Sequence, residues 1–198
     1  MNVQLLAIGH LSRHPLAWRD QEFHFNVDQA TATQPESTPH LHLVIREFQP
    51  GDEEAFRRLN EEWIVRYFAL EPKDIATLGD PRKYILEPGG RIFFATHAGS
   101  IVACCALVAM RPGEFEVAKM AVQVSLRRSG IGRRLLEAVL AAARASGATR
   151  LYLETNSKLA NAIRLYEAVG FRHLPADRVI PSPYARANVH MELYLSAG

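Results

Sequence analysis

The chain has 198 residues, 23 Lys or Arg against 21 Asp or Glu, and a formal net charge of +2. That balance excludes a surface built for duplex nucleic acid, so any basic patch is local. With 48% hydrophobic residues the chain can bury one domain's core, yet no apolar run approaches the ~20 residues of a spanning helix.

Residues 1–40 read as an N-terminal extension of unassigned role. The stretch 26–40 is rich in Thr, Gln, Ser and Pro and has no periodicity. The apolar residues 5–8 are interrupted by Gly9 and His10 with no cationic lead, so no secretory signal is expected. A single domain is expected over 41–198. HLVIREF (42–48) alternates as a strand. Residues 51–68 place Phe56, Leu59, Trp63 and Tyr67 on one helical face, with Asp52 as N-cap. Residues 71–81 predict a short second helix, with Pro72 in its first turn and Gly79 beyond its end. Two strands, 91–98 and 100–110, flank a turn at Ala98, Gly99 and Ser100, and 114–124 forms another. A helix from Gly130 carries Ile131, Leu135, Val139 and Ala142 on one stripe and closes at Gly147. A strand over 148–156 precedes a helix over 157–171, with Leu159, Ala162, Ile163 and Tyr166 on one face and Gly170 at its end. Residues 188–195 supply the last strand. The order β-α-α-β-β-β-α-β-α-β is an α+β layout, one mixed sheet with helices on its faces.

The stretch LRRSGIGRRLL (126–136) sets two glycines and four arginines at the mouth of the third helix. A helix N-terminus exposes unpaired N–H groups and the positive end of the dipole, which suits an anion. Gly130 and Gly132 allow close approach to the backbone, and Arg127, Arg128, Arg133 and Arg134 add cations suited to phosphate. The plainer alternative is a turn with arginines on a solvated face. Two nucleotide motifs fail on spacing. The stretch has Gly-Arg-Arg where a P-loop needs Gly-Lys-Ser/Thr, and Leu135 where G-x-G-x-x-G needs its third glycine.

Arg127, Arg128, Ser129, Gly130, Ile131 and Gly132 match the pattern Q/R-x-x-G-x-G/A. KMAV (119–122) precedes them, and NAIRLYEAVGF (161–171) follows, similar to A-x-x-L-Y-x-x-x-G-F. With three segments in order, residues 43–195 resemble the GNAT-type N-acetyltransferase superfamily, which binds acetyl-coenzyme A. The resemblance implies a mixed, mostly antiparallel sheet flanked by helices, with the fourth and fifth strands splayed. It also implies a pyrophosphate held on backbone N–H groups of the signature loop, Arg128 to Arg133, with Arg127 among the cofactor-binding residues. The pantetheine arm would run like an added strand along Met120, Ala121 and Val122. Tyr166 takes the place of the general acid, against a plainer reading as a core aromatic. Glu116, four residues before Met120, and Glu154 in LYLET compete for the general base; some relatives use water chains instead. Simple alternation puts Glu116 on the face of Ala118, Met120 and Val122. Asn156 and Asn161 are candidates to bond the pantetheine amide, since the usual Asn seven residues before the tyrosine is Leu159 here. A helix N-cap is the other reading of Asn156.

The eight histidines are scattered, and no metal site is expected. Cys104 and Cys105 are adjacent in an apolar run, which favours buried structural thiols and a reducing, cytoplasmic setting. Glu71 and Asp74 could attract a cationic amine, and Arg186, beside Tyr184, could clamp an acceptor carboxylate. The expected function is an acetyl-CoA-dependent N-acetyltransferase in which a primary amine attacks directly in a ternary complex; no activated Cys or Ser suggests an acyl-enzyme. The alternative is a non-catalytic acyl-CoA-binding module, which would keep the glycine cradle but need neither Tyr166 nor a base. Neither nucleic acid nor membrane is an expected partner. Homodimerisation, common among such enzymes, has no signature in this sequence.

Overall fold

The computed structural model describes residues 42–179 and 181–195; the expected extension, with His10, His14, His24 and His40, lies outside them. The elements run β1 (Leu43–Glu47), α1 (Glu53–Tyr67), α2 (Pro72–Gly79), β2 (Arg91–His97), β3 (Ser100–Ala109), β4 (Glu114–Val122), α3 (Ile131–Ala145), β5 (Arg150–Thr155), α4 (Ala160–Ala168), β6 (Arg172–His173) and β7 (Val189–Tyr194). The strands form one sheet in the order β1-β2-β3-β4-β5-β7-β6. Every neighbouring pair is antiparallel except β4 and β5, which run parallel. The fold is therefore the α+β arrangement with a mixed, mostly antiparallel sheet.

Alternation along β2 and β3 divides two cores between the faces of the sheet. Phe93, Ala95, Cys105 and Leu107 pack with Ile131, Leu135 and Val139 of α3. Ile92, Phe94, Cys104 and Ala106 pack with Phe56, Leu59 and Ile64 of α1 and Leu78 of α2. The turn between β2 and β3 takes positive φ at both Ala98 and Gly99, which matches the right-handed twist of a hairpin.

Several expectations need correction. The inward face of α1 is Phe56, Leu59, Asn60 and Ile64, whereas Tyr67 is 42% exposed and Trp63 only half-buried. Asn60 sits inward because its amide donates to Phe56 O and to Cys104 Sγ. Asp52 holds the N-cap position without capping. Its carboxylate instead takes two hydrogen bonds from Arg46 and one from Gln49 N–H. Gly79 is the last residue of α2 rather than beyond it. α4 begins at Ala160 because Asn156 Oδ1 accepts from Lys158 N–H and closes a turn first. The short β6 and a π-helical turn at Arg82–Leu86 carry no periodic signal and were missed.

The largest departure lies in β4. Ala118 pairs with Ala106 but Ala121 pairs with Cys104, so Lys119 and Met120 together oppose Cys105. This is a β-bulge, and Lys119 occupies it with φ +51°. The extra residue resets the alternation. Met120 and Val122 pack toward the α3 core, whereas Ala121 belongs to the α1 and α2 core. Ala118 and Glu116 pair with residues of that second side, Ala106 and Val108. Glu116 therefore does not share a face with Met120 and Val122.

Truncating the fully buried Leu135 to Ala should lower the unfolding free energy by about 2–5 kcal/mol in urea melts. The Val65→Ala change, at a residue 60% exposed, should stay within about 0.5 kcal/mol.

Candidate active site

β4 and β5 are paired only from Glu114 with Arg150 to Glu116 with Tyr152. Beyond that, β4 stays with β3 as far as Val122, and β5 stays with β7 as far as Thr155. The strands part, and among the described residues the edge of β4 past Glu116 has no strand neighbour. A cleft of about 980 Å³ fills the gap. It runs from the start of α3, past Met120, Ala121 and Val122, to Glu116, Glu154 and Tyr184.

The loop before α3 forms one end. Arg128 has φ +66° and Gly130, at the N-cap, φ +84°. The first helical bond is Arg134 N–H to Gly130 O, and the N–H groups of residues 128–133 find no acceptor among the described residues. The two glycines are not equivalent. A Cβ at Gly130 would stand in open space but in a backbone conformation that L residues avoid. A Cβ at Gly132 would meet Val122 Cγ2 at 3.4 Å and Met120 Cε at 3.5 Å, ordinary contact distances that mark where α3 lies against β4. Arg127 Nε donates to Val122 O, tying the loop to the strand. Arg128, Gly132 and Arg133 line the cleft. Ser129 instead bonds Leu126 O, and the Ile131 side chain lies in the α3 core.

The titratable groups gather at the other end. Tyr166 is buried against Phe171 in the α3 core, and its hydroxyl reaches Met120 Sδ at 3.9 Å. Burial pushes its phenol above the usual range. Glu116 makes no hydrogen bond among the described residues; burial, then the charge of Glu154, raise its carboxyl to about 7 against the opposing Lys119 and Lys73. Glu154 accepts from Tyr152 Oη at 3.2 Å and from Ser182 Oγ at 2.5 Å. Asn156 lines the cleft, but its amide is engaged, Nδ2 donating to Arg186 O. Asn161 is exposed in the first turn of α4 and accepts from Arg164.

The segment before β7 crosses the cleft and is fastened on both sides. Arg186 makes two bonds to Asp74 at 2.6 and 2.8 Å and one to Glu71 at 3.0 Å. Ala185 N–H also donates to Glu71. Lys119 Nζ lies 2.6 Å from Asp74 and 2.9 Å from Tyr184 Oη. Burial would raise the Asp74 carboxyl, but Arg186 and Lys119 outweigh it and hold the group below its ordinary range. Glu71, Asp74 and Arg186, which the sequence offered as acceptor-binding charges, thus neutralise one another. Lys119 was not singled out, although a lysine inside the apolar run EVAKMAV was a visible signal. Among the described residues no group of three or more His, Cys, Asp and Glu could hold a metal, and no helix is long and apolar enough to cross a membrane.

The sequence profile of the acetyltransferase (GNAT) family matches residues 53–171. The chain belongs to the GNAT family. Its curated relatives include the IAA acetyltransferase of Azospirillum brasilense, 40% identical over 50% of this chain. The chain spans 63% of that relative's length. In fold this GNAT member resembles a GNAT acetyltransferase from Staphylococcus aureus (TM-score 0.71, 20% identity, 78% of this chain and 100% of the other). It also resembles the yncA protein of Salmonella typhimurium, solved with its cofactor acetyl-CoA (TM-score 0.59, 19% identity, 78% and 95%).

The raised Glu116 carboxyl makes stability depend on pH. Below about 4.5 the group is protonated whether folded or unfolded; between 4.5 and about 7 only the unfolded chain ionises. Folded stability therefore falls as pH rises through this window, and the loss is complete above it. The Glu116→Gln variant escapes that loss. Its advantage over the parent should grow from pH 4.5 to about 7 and then level off, at no more than about 3 kcal/mol, in urea melts across that range. The Asp74→Ala change would leave the buried Lys119 without its carboxylate partner and Arg186 with Glu71 alone, and should cost about 3–5 kcal/mol in the same melts.

Proposed function

We propose that this chain moves the acetyl group of acetyl-CoA to a primary amine by direct attack in a ternary complex. The observation that carries this reading is the continuity of the cleft, which joins unpaired amides at the start of α3 to Glu116 and Tyr166 between parted strands. The N–H groups of residues 128–133, with Arg128 and Arg133 beside them, suit a pyrophosphate. The free edge of β4 along Met120, Ala121 and Val122 suits an extended amide-bearing arm that pairs like a strand. Asn161 stands at the cleft wall, within reach of such an arm. Asn156 serves instead to hold the wall, through Arg186 O.

An alkylamine is protonated at neutral pH and must lose a proton before it can attack. Glu116, with its carboxyl near 7, is matched to that task. It belongs to the sheet face covered by α1 and α2, whereas Tyr166 reaches the slot from the α3 core. The amine thus approaches from one face and the thiol departs toward the other, where Tyr166 donates to sulfur. Main-chain N–H groups at the β4 edge stabilise the developing oxyanion. Arg66, Tyr67 and Tyr184 line the acceptor mouth.

The test is release of free thiol from acetyl-CoA by the purified protein with a diamine, an α-amino acid, an aminoglycoside and a peptide bearing a free N-terminus. Release that requires both acetyl-CoA and one of these amines is expected, with kcat/KM rising through about pH 7 as Glu116 ionises. The Glu116→Gln change should remove that rising limb. The Tyr166→Phe change should lower kcat about 100-fold, and Gly130→Asp should abolish acetyl-CoA binding in titration calorimetry. Tight acetyl-CoA binding without thiol release from any amine would overturn the reading in favour of a non-catalytic binding module.

A further inference from the structure

The acceptor end of the cleft has an inside and a rim of opposite sign. Glu116 and Glu154, both partly buried, supply the inside. The cations beside them are already used, because Asp74 holds Lys119, and Asp74 and Glu71 hold Arg186. The rim is different. The last turn of α1 brings Arg66 and Tyr67 to it, with Phe68 directly after, and the turn before α4 brings Lys158.

These rim groups form one wall. Phe68 packs edge-on against Trp63, with ring centroids 6.4 Å apart, and its ring lies 6.3 Å from that of Tyr67. Arg66 Cζ is 5.9 Å from the Tyr67 centroid, and Lys158 Nζ is 5.9 Å from the Phe68 centroid. Lys158 therefore faces α1 rather than the amides at the start of α3, and a pyrophosphate there does not account for it. Both cations are exposed, and neither meets a carboxylate among the described residues. Even Glu62, one turn before Arg66 on α1, makes no ion pair with it. Lys73, exposed in the first turn of α2, adds a third positive charge, close enough for Glu116 to feel it. A bound amine thus meets negative charge at its nitrogen and positive charge where its other end emerges. A second ammonium at that end would be repelled, whereas a carboxylate would be attracted and would find guanidinium and ammonium donors.

We propose that Arg66 and Lys158 form a carboxylate subsite, so that the acceptor is an amino acid, a primary amine whose far end carries a carboxylate. This rests on the acetyl-transfer reading above and narrows its acceptor. Diamines and aminoglycosides are disfavoured, because the groups they would present to the rim are themselves cationic. The faces of Trp63, Tyr67 and Phe68 carry the hydrocarbon between the two charged ends. The two signs of charge also orient the acceptor: its ammonium points to Glu116, and its carboxylate stays at the rim.

The test gives the full chain acetyl-CoA and a ladder of straight-chain ω-amino acids of increasing length, the primary amide of each, and the diamine of equal length. Thiol release is read for every member. At the best length kcat/KM for the amino acid should exceed that for its amide about tenfold or more, with the diamine poorer still. Arg66→Gln and Lys158→Gln should each shrink that ratio, and Arg66→Glu should shift the preference toward the diamine. A cation that merely complements the dipole of α1 would change melting and leave the ratios alone. Equal rates for amino acid and amide at every length, or a ratio that either Gln variant leaves intact, overturn the subsite, while thiol release with any amine leaves acetyl transfer standing. If no amine releases thiol, the acetyl-transfer reading fails and the subsite is read by binding alone. The protein with coenzyme A is then titrated calorimetrically with the N-acetyl amino acid and the N-acetyl amide of each length. The carboxylate should bind about tenfold more tightly at the best length, and equal binding throughout would overturn the subsite as well.

Discussion

The site exists because β4 abandons β5 after three paired residues. Parallel neighbours in one sheet would ordinarily continue to pair, and two local devices prevent it. The bulge at Lys119 turns β4 out of register, with a non-glycine residue in the left-handed region, a conformation that costs of order 1–3 kcal/mol and persists only where the surroundings hold it. Asp74 holds it by gripping the Lys119 ammonium. The first turn of α3 packs at Gly132 against Met120 and Val122 from the other side. A buried ion cluster of this kind contributes little net stability but is costly to break, so its value lies in fixing where groups stand. Here it fixes the strand whose free edge lines the cleft.

The cleft is electrically polar along its length. Unpaired amides and arginines occupy the α3 end, and two carboxylates occupy the end near Tyr184. A long ligand bearing phosphates at one end and a neutral reactive carbonyl at the other can enter in one orientation only. Near the carboxylates, Lys119 and Arg186 are engaged by Asp74 and Glu71. Burial first, and then the charge of Glu154, push the Glu116 carboxyl up, and the opposing Lys119 and Lys73 offset this only in part.

Much of this was legible in the sequence, for identifiable reasons. The strong 3.6-residue stripe of α3 and the turn chemistry between β2 and β3 gave those elements without tertiary help. The Gly130 loop, Tyr166 and both glutamates were found through patterned segments, and the structure brings them to one cleft. What stayed hidden depends on contacts between distant residues. Asp74 and Arg186 stand 112 residues apart, so each read as a free charge until the fold paired them. The bulge has no mark of its own, because a lysine rather than a glycine occupies the left-handed position. Period-2 reasoning therefore carried Glu116 to the wrong side of Met120. The inward face of α1 was rotated for a similar reason: Asn60 is polar, and only its partners at Phe56 and Cys104 make it interior.

The chain's only two cysteines face opposite cores and are completely buried. Loss of hydration raises the Cys104 thiol to about 12 and lifts Cys105 further. Neither presents a thiolate to reagents in the surrounding medium. A chromogenic disulfide added to the native protein will accordingly record sulfur liberated from the coenzyme with no background from the polypeptide, and any colour that appears without substrate reports unfolding.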